Sequence, residues 1–133
     1  MTAKELITKH EGKKLYAYRD IVGKLTIGVG HNLDDSGLSN AAVEFILNED
    51  IANAVGELKD VFEEWDGIPE QVQAVMIDMM FNLGYSRFNK FKNMIAAVRA
   101  GDYKLAAKEA KDSKWCKQVG IRCEENYNIM INA

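Results

Sequence analysis

EGKKLYAYRDIVGKLTIGVGH, residues 11–31, gathers two carboxylates, a threonine hydroxyl and four glycines into one short segment. From Leu15 onward its side chains alternate with period two. Tyr16 and Tyr18 are followed by the turn-like Ile21-Val22-Gly23-Lys24, and then Leu25, Ile27 and Val29 alternate with Thr26 and Gly28. Such alternation predicts a β-hairpin, with a third short strand around His31 to Leu33. Leu25, Ile27 and Val29 are expected on one apolar face and Thr26, Gly28 and Gly30 on the other. A strand face nearly bare of side chains either admits a ligand close to the backbone or marks a bulged, twisted edge. Asp20 faces Thr26 only if the paired residue numbers sum to an even value, which a three-residue loop at 22–24 supplies.

Upstream, Thr2-Ala3-Lys4-Glu5 has the form of a capping box and predicts a helix start, with Leu6, Ile7 and His10 on one semi-apolar face and Gly12 as terminator. Glu11 then falls in the last helical turn, where the negative end of the helix dipole favours the protonated acid. Downstream, Asn32 to Gly37 is polar and turn-like, and Ser39 can cap a long helix from Asn40 to about Lys59. Val43, Ile46, Leu47, Ile51, Val55 and Leu58 recur there at helical spacing, predicting one apolar face.

Gly67-Ile68-Pro69 is the clearest punctuation, and Pro69 fits the first residue of the next helix, which runs through Val72, Val75, Met76, Met79 and Met80 to Gly84. A further helix is expected over Phe88 to Val98, ending at Gly101. Asp102 caps another, and a turn at Val119-Gly120 precedes a last one through Ile131. The expected fold class is α+β, mainly α, with one small sheet in a single domain; the long helix could join two lobes, and a helix packed along one core would read the same way.

Composition narrows the function. The chain has 133 residues, 47% hydrophobic and 28% charged, with net charge −3, which gives no electrostatic footprint for nucleic acid. The charge is uneven: 7 Lys and Arg against 13 Asp and Glu in residues 1–66, and 10 against 7 in residues 67–133. That asymmetry fits two mutually attracting surfaces or a cleft with opposite walls. No window approaches 18 apolar residues and MTAKELITKHEG has no apolar signal core, so no stable membrane insertion and synthesis in the cytoplasm are expected. Cys116 and Cys123 match no zinc or CxxC spacing, and free thiols are the expectation.

Without any family, Glu11, Asp20 and Thr26 offer two carboxylates in different environments and a hydroxyl that could orient water, the equipment of glycoside hydrolysis. An acidic chain provides many such pairs, and a surface Glu11 and a turn-forming Asp20 explain the same residues. The pattern E-G at 11–12, Tyr18 with Asp20, and T-I-G-V-G-H over 26–31 resembles the phage-type lysozymes of the T-even phage lineage. The similarity continues through Phe81-Asn82-Leu83-Gly84, Ser113-Lys114-Trp115, Gln118 and Arg122.

The resemblance implies that Glu11 is the general acid, Asp20 the second catalytic carboxylate and Thr26 a holder of the attacking water. It implies a lysozyme-like fold with a small N-terminal sheet lobe (1–38), a connecting helix (39–60) and a helical C-terminal lobe (61–133), and a glycan cleft between the lobes lined by Asn32, Phe81, Met94 and Glu109; Gly30, on the bare face, joins them as a substrate contact. It pairs His31 with Asp50 and Arg122 with the catalytic acid. The implied reaction is hydrolysis of the β-1,4 bond between N-acetylmuramic acid and N-acetylglucosamine in peptidoglycan, by a monomer needing no metal or other cofactor. A separate holin would give access to the wall, or a virion or toxin would carry the chain there. A lytic transglycosylase and a non-catalytic peptidoglycan-binding or delivery module are the competing readings. The chain departs from the family in a short Asn32–Ser39 connection, an acidic balance, and Glu125 where a basic residue is found.

Overall fold

Three strands form one antiparallel sheet in the order β1-β2-β3: β1 (Lys14–Arg19), β2 (Leu25–Gly28) and β3 (His31–Asn32). The computed structural model describes all 133 residues, and chain contacts divide them into two compact units, Met1–Ile46 and Leu47–Ala133. The first unit begins with α1 (Ala3–Glu11), follows with the sheet, and continues through α2 (Leu33–Ser36) into the start of α3 (Asn40–Val61). The second holds the rest of α3, a 3-10 turn at Trp65–Gly67, and α4 (Glu70–Leu83), α5 (Tyr85–Phe88), α6 (Lys92–Arg99), α7 (Tyr103–Lys111), α8 (Lys114–Val119) and α9 (Ile121–Ile131). The mainly helical α+β class is therefore as the sequence predicts.

Local signals account for most boundaries. Thr2 and Glu5 form the reciprocal capping box of α1, Ser39 Oγ accepts from the Ala42 N–H at 3.1 Å, and Asp102 and Ser113 cap α7 and α8. Gly84 (φ +79) ends α4. Pro69 stands one residue outside α4 as its N-cap, with ψ 142, so the helix starts at Glu70. The helix expected from Phe88 to Val98 is two pieces: Phe88 ends α5, and α6 begins at Lys92. Phe88 and Phe91 are three residues apart, so apolar periodicity runs straight through the turn that separates them.

The hairpin register has the expected even parity but a different loop. Tyr18 pairs with Thr26 and Arg19 with Leu25, the Asp20 N–H donates to the Lys24 carbonyl at 2.9 Å, and the loop is 21–23 rather than 22–24. Thr26 therefore faces Tyr18 and not Asp20. Strand β2 stops at Gly28, leaving Val29-Gly30 as the turn into β3, where Thr26 pairs with Asn32.

Burial corrects a further expectation. Leu25 and Ile27 are only half-buried, whereas Thr26, on the central strand, is 3% exposed and the one buried residue of the first unit. A sheet whose third strand has two residues is too narrow to seal an apolar face. The long helix α3 likewise buries only Ala54, Leu58 and Val61, while Val43, Phe45 and Ile46 stay exposed. The hydrophobic core belongs to the second unit, centred on Val72, Val75, Met76, Met79 and Met80 of α4.

The free-thiol expectation is also overturned: Cys116 and Cys123 form a disulfide. Gly120, at φ +61, reverses the chain between α8 and α9 and brings the two Cα atoms to 5.1 Å. Spacing along the chain concealed a corner in space. No helix is long and apolar enough to cross a membrane.

Candidate active site

Glu11 is fixed by the end of α1. Gly12, at φ +76, breaks the helix and donates its N–H to the Thr8 carbonyl, leaving Glu11 as the last helical residue. Its carboxylate lies directly against Gly30: a Cβ built there would stand 2.7 Å from Glu11 Oε2 and 3.0 Å from Cδ. The glycine-bare region read from the sequence is thus, at Gly30, occupied by the carboxylate of Glu11 itself.

Asp20 closes the hairpin turn. Its Oδ1 accepts from the Val22 N–H at 3.0 Å and the Lys24 N–H at 2.8 Å. Oδ2 takes no hydrogen bond, so one oxygen anchors the side chain and the other is available. Thr26 shares the same sheet face by parity. Its hydroxyl donates to the Lys24 carbonyl at 2.8 Å, satisfying a buried donor and leaving the oxygen's lone pairs as acceptors.

Two aspartates that the sequence reading passed over hold this hairpin. Asp34 Oδ2 accepts from the Leu25 N–H at 2.7 Å and lies 3.6 Å from Arg19 Nη1; Asp35 Oδ1 accepts from Lys24 Nζ at 3.0 Å. The hydrogen bond between Lys24 and Asp35 lowers the Asp35 carboxyl pKa and raises that of the Lys24 ammonium. The available signal was the acidic pair Asp34-Asp35, one residue beyond Asn32, which belongs in the first turn of a helix. Asn32 caps that helix: Oδ1 accepts from the Asp35 N–H at 3.0 Å and Nδ2 donates to Asp35 Oδ2 at 2.9 Å. His31 Nε2 bonds the Gly37 carbonyl at 2.6 Å, leaving Nδ1 for another partner.

In the second unit, Met94 and Glu109 line one groove of about 440 Å³ together with Leu83, Phe91, Ser113 and Trp115. Trp115 Nε1 donates to Asn82 Oδ1 at 2.8 Å and its ring meets Phe91 edge-on, which fixes that wall. Phe81 is 48% exposed on α4 and Asp50 is exposed on α3; neither lines this groove. A larger concavity of about 780 Å³, near Asp60, Glu64, Arg99 and Tyr103, contains none of the expected site residues.

Arg122 is held by Asp78: Nε donates to Oδ2 at 3.0 Å, and Nη2 to Oδ1 at 2.7 Å and to the backbone carbonyl at 3.2 Å. Asn126 adds a bond to Asp78 Oδ2 at 2.9 Å. Burial pushes the Asp78 pKa up, but the bonds from Arg122 and Asn126 and the guanidinium charge outweigh it, and the net shift is downward. Arg122 Nη1 remains for a further acceptor. No three His, Cys, Asp or Glu side chains converge as a metal-ligating group.

Chemically, the first unit offers a helix-end carboxyl group, a carboxylate with one tethered and one available oxygen, and a hydroxyl oriented as an acceptor. Several known proteins have similar sequences. The pre-baseplate central spike protein Gp5 of Enterobacteria phage T4 is 25% identical over 98% of this chain, which spans 28% of the spike protein's length. A probable T4-type lysozyme 2 of Dictyostelium discoideum is 25% identical over 95% of this chain and 91% of its own. An endolysin of Acyrthosiphon pisum secondary endosymbiont phage 1 is 28% identical over 84% of this chain and 75% of its own. Residues 8–126 match the model of one family, which takes in Glu11, Asp20 and Thr26, and the chain belongs to it: the phage lysozyme family.

Proposed function

We propose that this chain hydrolyses the β-1,4 glycosidic bond between N-acetylmuramic acid and N-acetylglucosamine, with residues 1–133 working as one lysozyme domain. The family places it among peptidoglycan-lytic proteins. The observation that carries the finer reading is the joint placement in one small unit of Glu11 at a helix end, Asp20 with a free Oδ2, and Thr26 with a free acceptor. In this reading Glu11 protonates the leaving glycosidic oxygen. A water donates one hydrogen bond to Thr26 Oγ1 and gives up its proton to Asp20 Oδ2 as it attacks the anomeric carbon, which inverts the configuration there.

The candidate glycan contacts in this reading are Gly30, Asn32, Phe81, Met94 and Glu109. His31, Asp50 and Arg122 act as supports, with His31 Nδ1 and Arg122 Nη1 left for further partners. In this reading neither a metal nor another cofactor takes part, and a monomer reaches the wall through a separate membrane lesion or as cargo of a virion or toxin.

Turbidity loss of purified cell walls tests the assignment. Glu11→Gln and Asp20→Ala are each expected to lower the rate about 10²–10⁴-fold with wall binding retained. Wild-type rates in either variant sink it. Mass spectrometry of the released fragments separates the reactions: reducing muramic ends support hydrolysis, and anhydro sugars would assign a lytic transglycosylase instead.

A further inference from the structure

Gly30 lies in the turn between β2 and β3, and the atoms nearest to a Cβ placed on it are Oε2, Cδ and Cγ of Glu11, at 2.7, 3.0 and 3.2 Å. All three belong to one side chain, and no backbone atom ranks among them. Gly12, Gly23, Gly28 and Gly37 also have positive φ, yet a Cβ on any of them meets nothing within 4 Å. Positive φ alone explains a glycine at those four positions. At Gly30 the backbone requires glycine and the carboxylate requires the space.

We infer that Gly30 is a positioning residue for Glu11: its bare Cα is the seat that sets where the Glu11 carboxyl group rests. The inference deepens the lysozyme reading and rests on it for its consequence in catalysis, but the seat itself is a matter of geometry. Glu11 hangs from the last residue of α1 on a flexible side chain, and its carboxylate is exposed. A methyl group at Gly30 would therefore be relieved most cheaply by rotating the carboxylate away, leaving the β2–β3 turn in place. An acid moved by about 1 Å from its bond loses roughly 10² in rate.

Gly28 supplies the matched control, because it shares the φ of +68 without the contact. In Gly30→Ala, kcat for wall hydrolysis is expected to fall roughly 10²-fold, and the Glu11 side-chain carboxyl carbon resonance to move. In Gly28→Ala that resonance is expected to stay at its wild-type position, while thermal stability falls by a similar few degrees from the strained φ. A double-mutant cycle on thermal midpoints guards against loss of folding. Glu11→Ala deletes all three crowding atoms, so Gly30→Ala is expected to cost less in that background than in the wild type.

An unmoved Glu11 resonance in Gly30→Ala, or additive midpoints in the cycle, overturns the inference. If instead the wild type does not hydrolyse cell walls, the lysozyme reading fails, and the resonance and the cycle still decide where the carboxylate is held.

Discussion

A single arginine shows how the charged residues here divide their labour. Arg122 spends two of its nitrogens on Asp78, and Asn126 completes the carboxylate's coordination. Because the folded-state pKa of Asp78 is lowered below its usual 3.8, the group stabilises the fold at pH above its unfolded pKa, and that contribution is lost as pH falls through the folded value. Asp78→Asn should therefore melt below wild type at pH 7, and the gap should close as pH falls from about 4 through the lowered folded value. Calorimetry across that range checks it; a gap independent of pH would mean that shape, not charge, holds Arg122. The same scale shows what the sequence could convey. The placement of Glu11 at a helix end and of Asp20 at the hairpin turn was legible because each sits beside a terminator or turn with its own chemistry. Asp34, Asp35 and Asp78 were not, because their partners lie 9, 11 and 44 residues away.

At the scale of elements, the sequence is most readable where backbone chemistry punctuates it. The capping box at Thr2, the caps at Ser39, Asp102 and Ser113, and the glycine ends at 12 and 84 all fall where local rules put them. Where apolar spacing bridges a turn, as between Phe88 and Phe91, the break between helices is invisible. The α8–α9 corner escaped for another reason: a disulfide depends on a distance, and the sequence contains only a count. That corner is now the clearest element to test. Closing a loop this short stabilises by about 2 kcal/mol in the chain-entropy view, or roughly 10 °C for a unit of this size. Cys116→Ser with Cys123→Ser, or wild type in dithiothreitol, should melt lower by that order, with two alkylatable thiols appearing on reduction. An unchanged midpoint would show that the bonds from Trp115 to Asn82 and from Arg122 to Asp78 hold the corner unaided.

Across the whole molecule, the buried apolar residues run from Ala54 to Met130, all in the second unit, while the first has Thr26 alone. The first unit is held by its strand ladder and by the hydrogen bonds of Asp20, Asn32, Asp34 and Asp35. Such segments open locally at far smaller cost than a packed core. Amide exchange followed by mass spectrometry should find residues 14–32 exchanging by local opening, insensitive to mild denaturant, and residues 72–98 protected until global unfolding. Equal protection in both would refute the division.

The single buried hydroxyl has a consequence for the working life of the protein. If the catalytic groups ride on the segment that opens first, heating should silence lysis some degrees before circular dichroism records any loss of helix. On cooling, activity should return without any refolding of the helical unit.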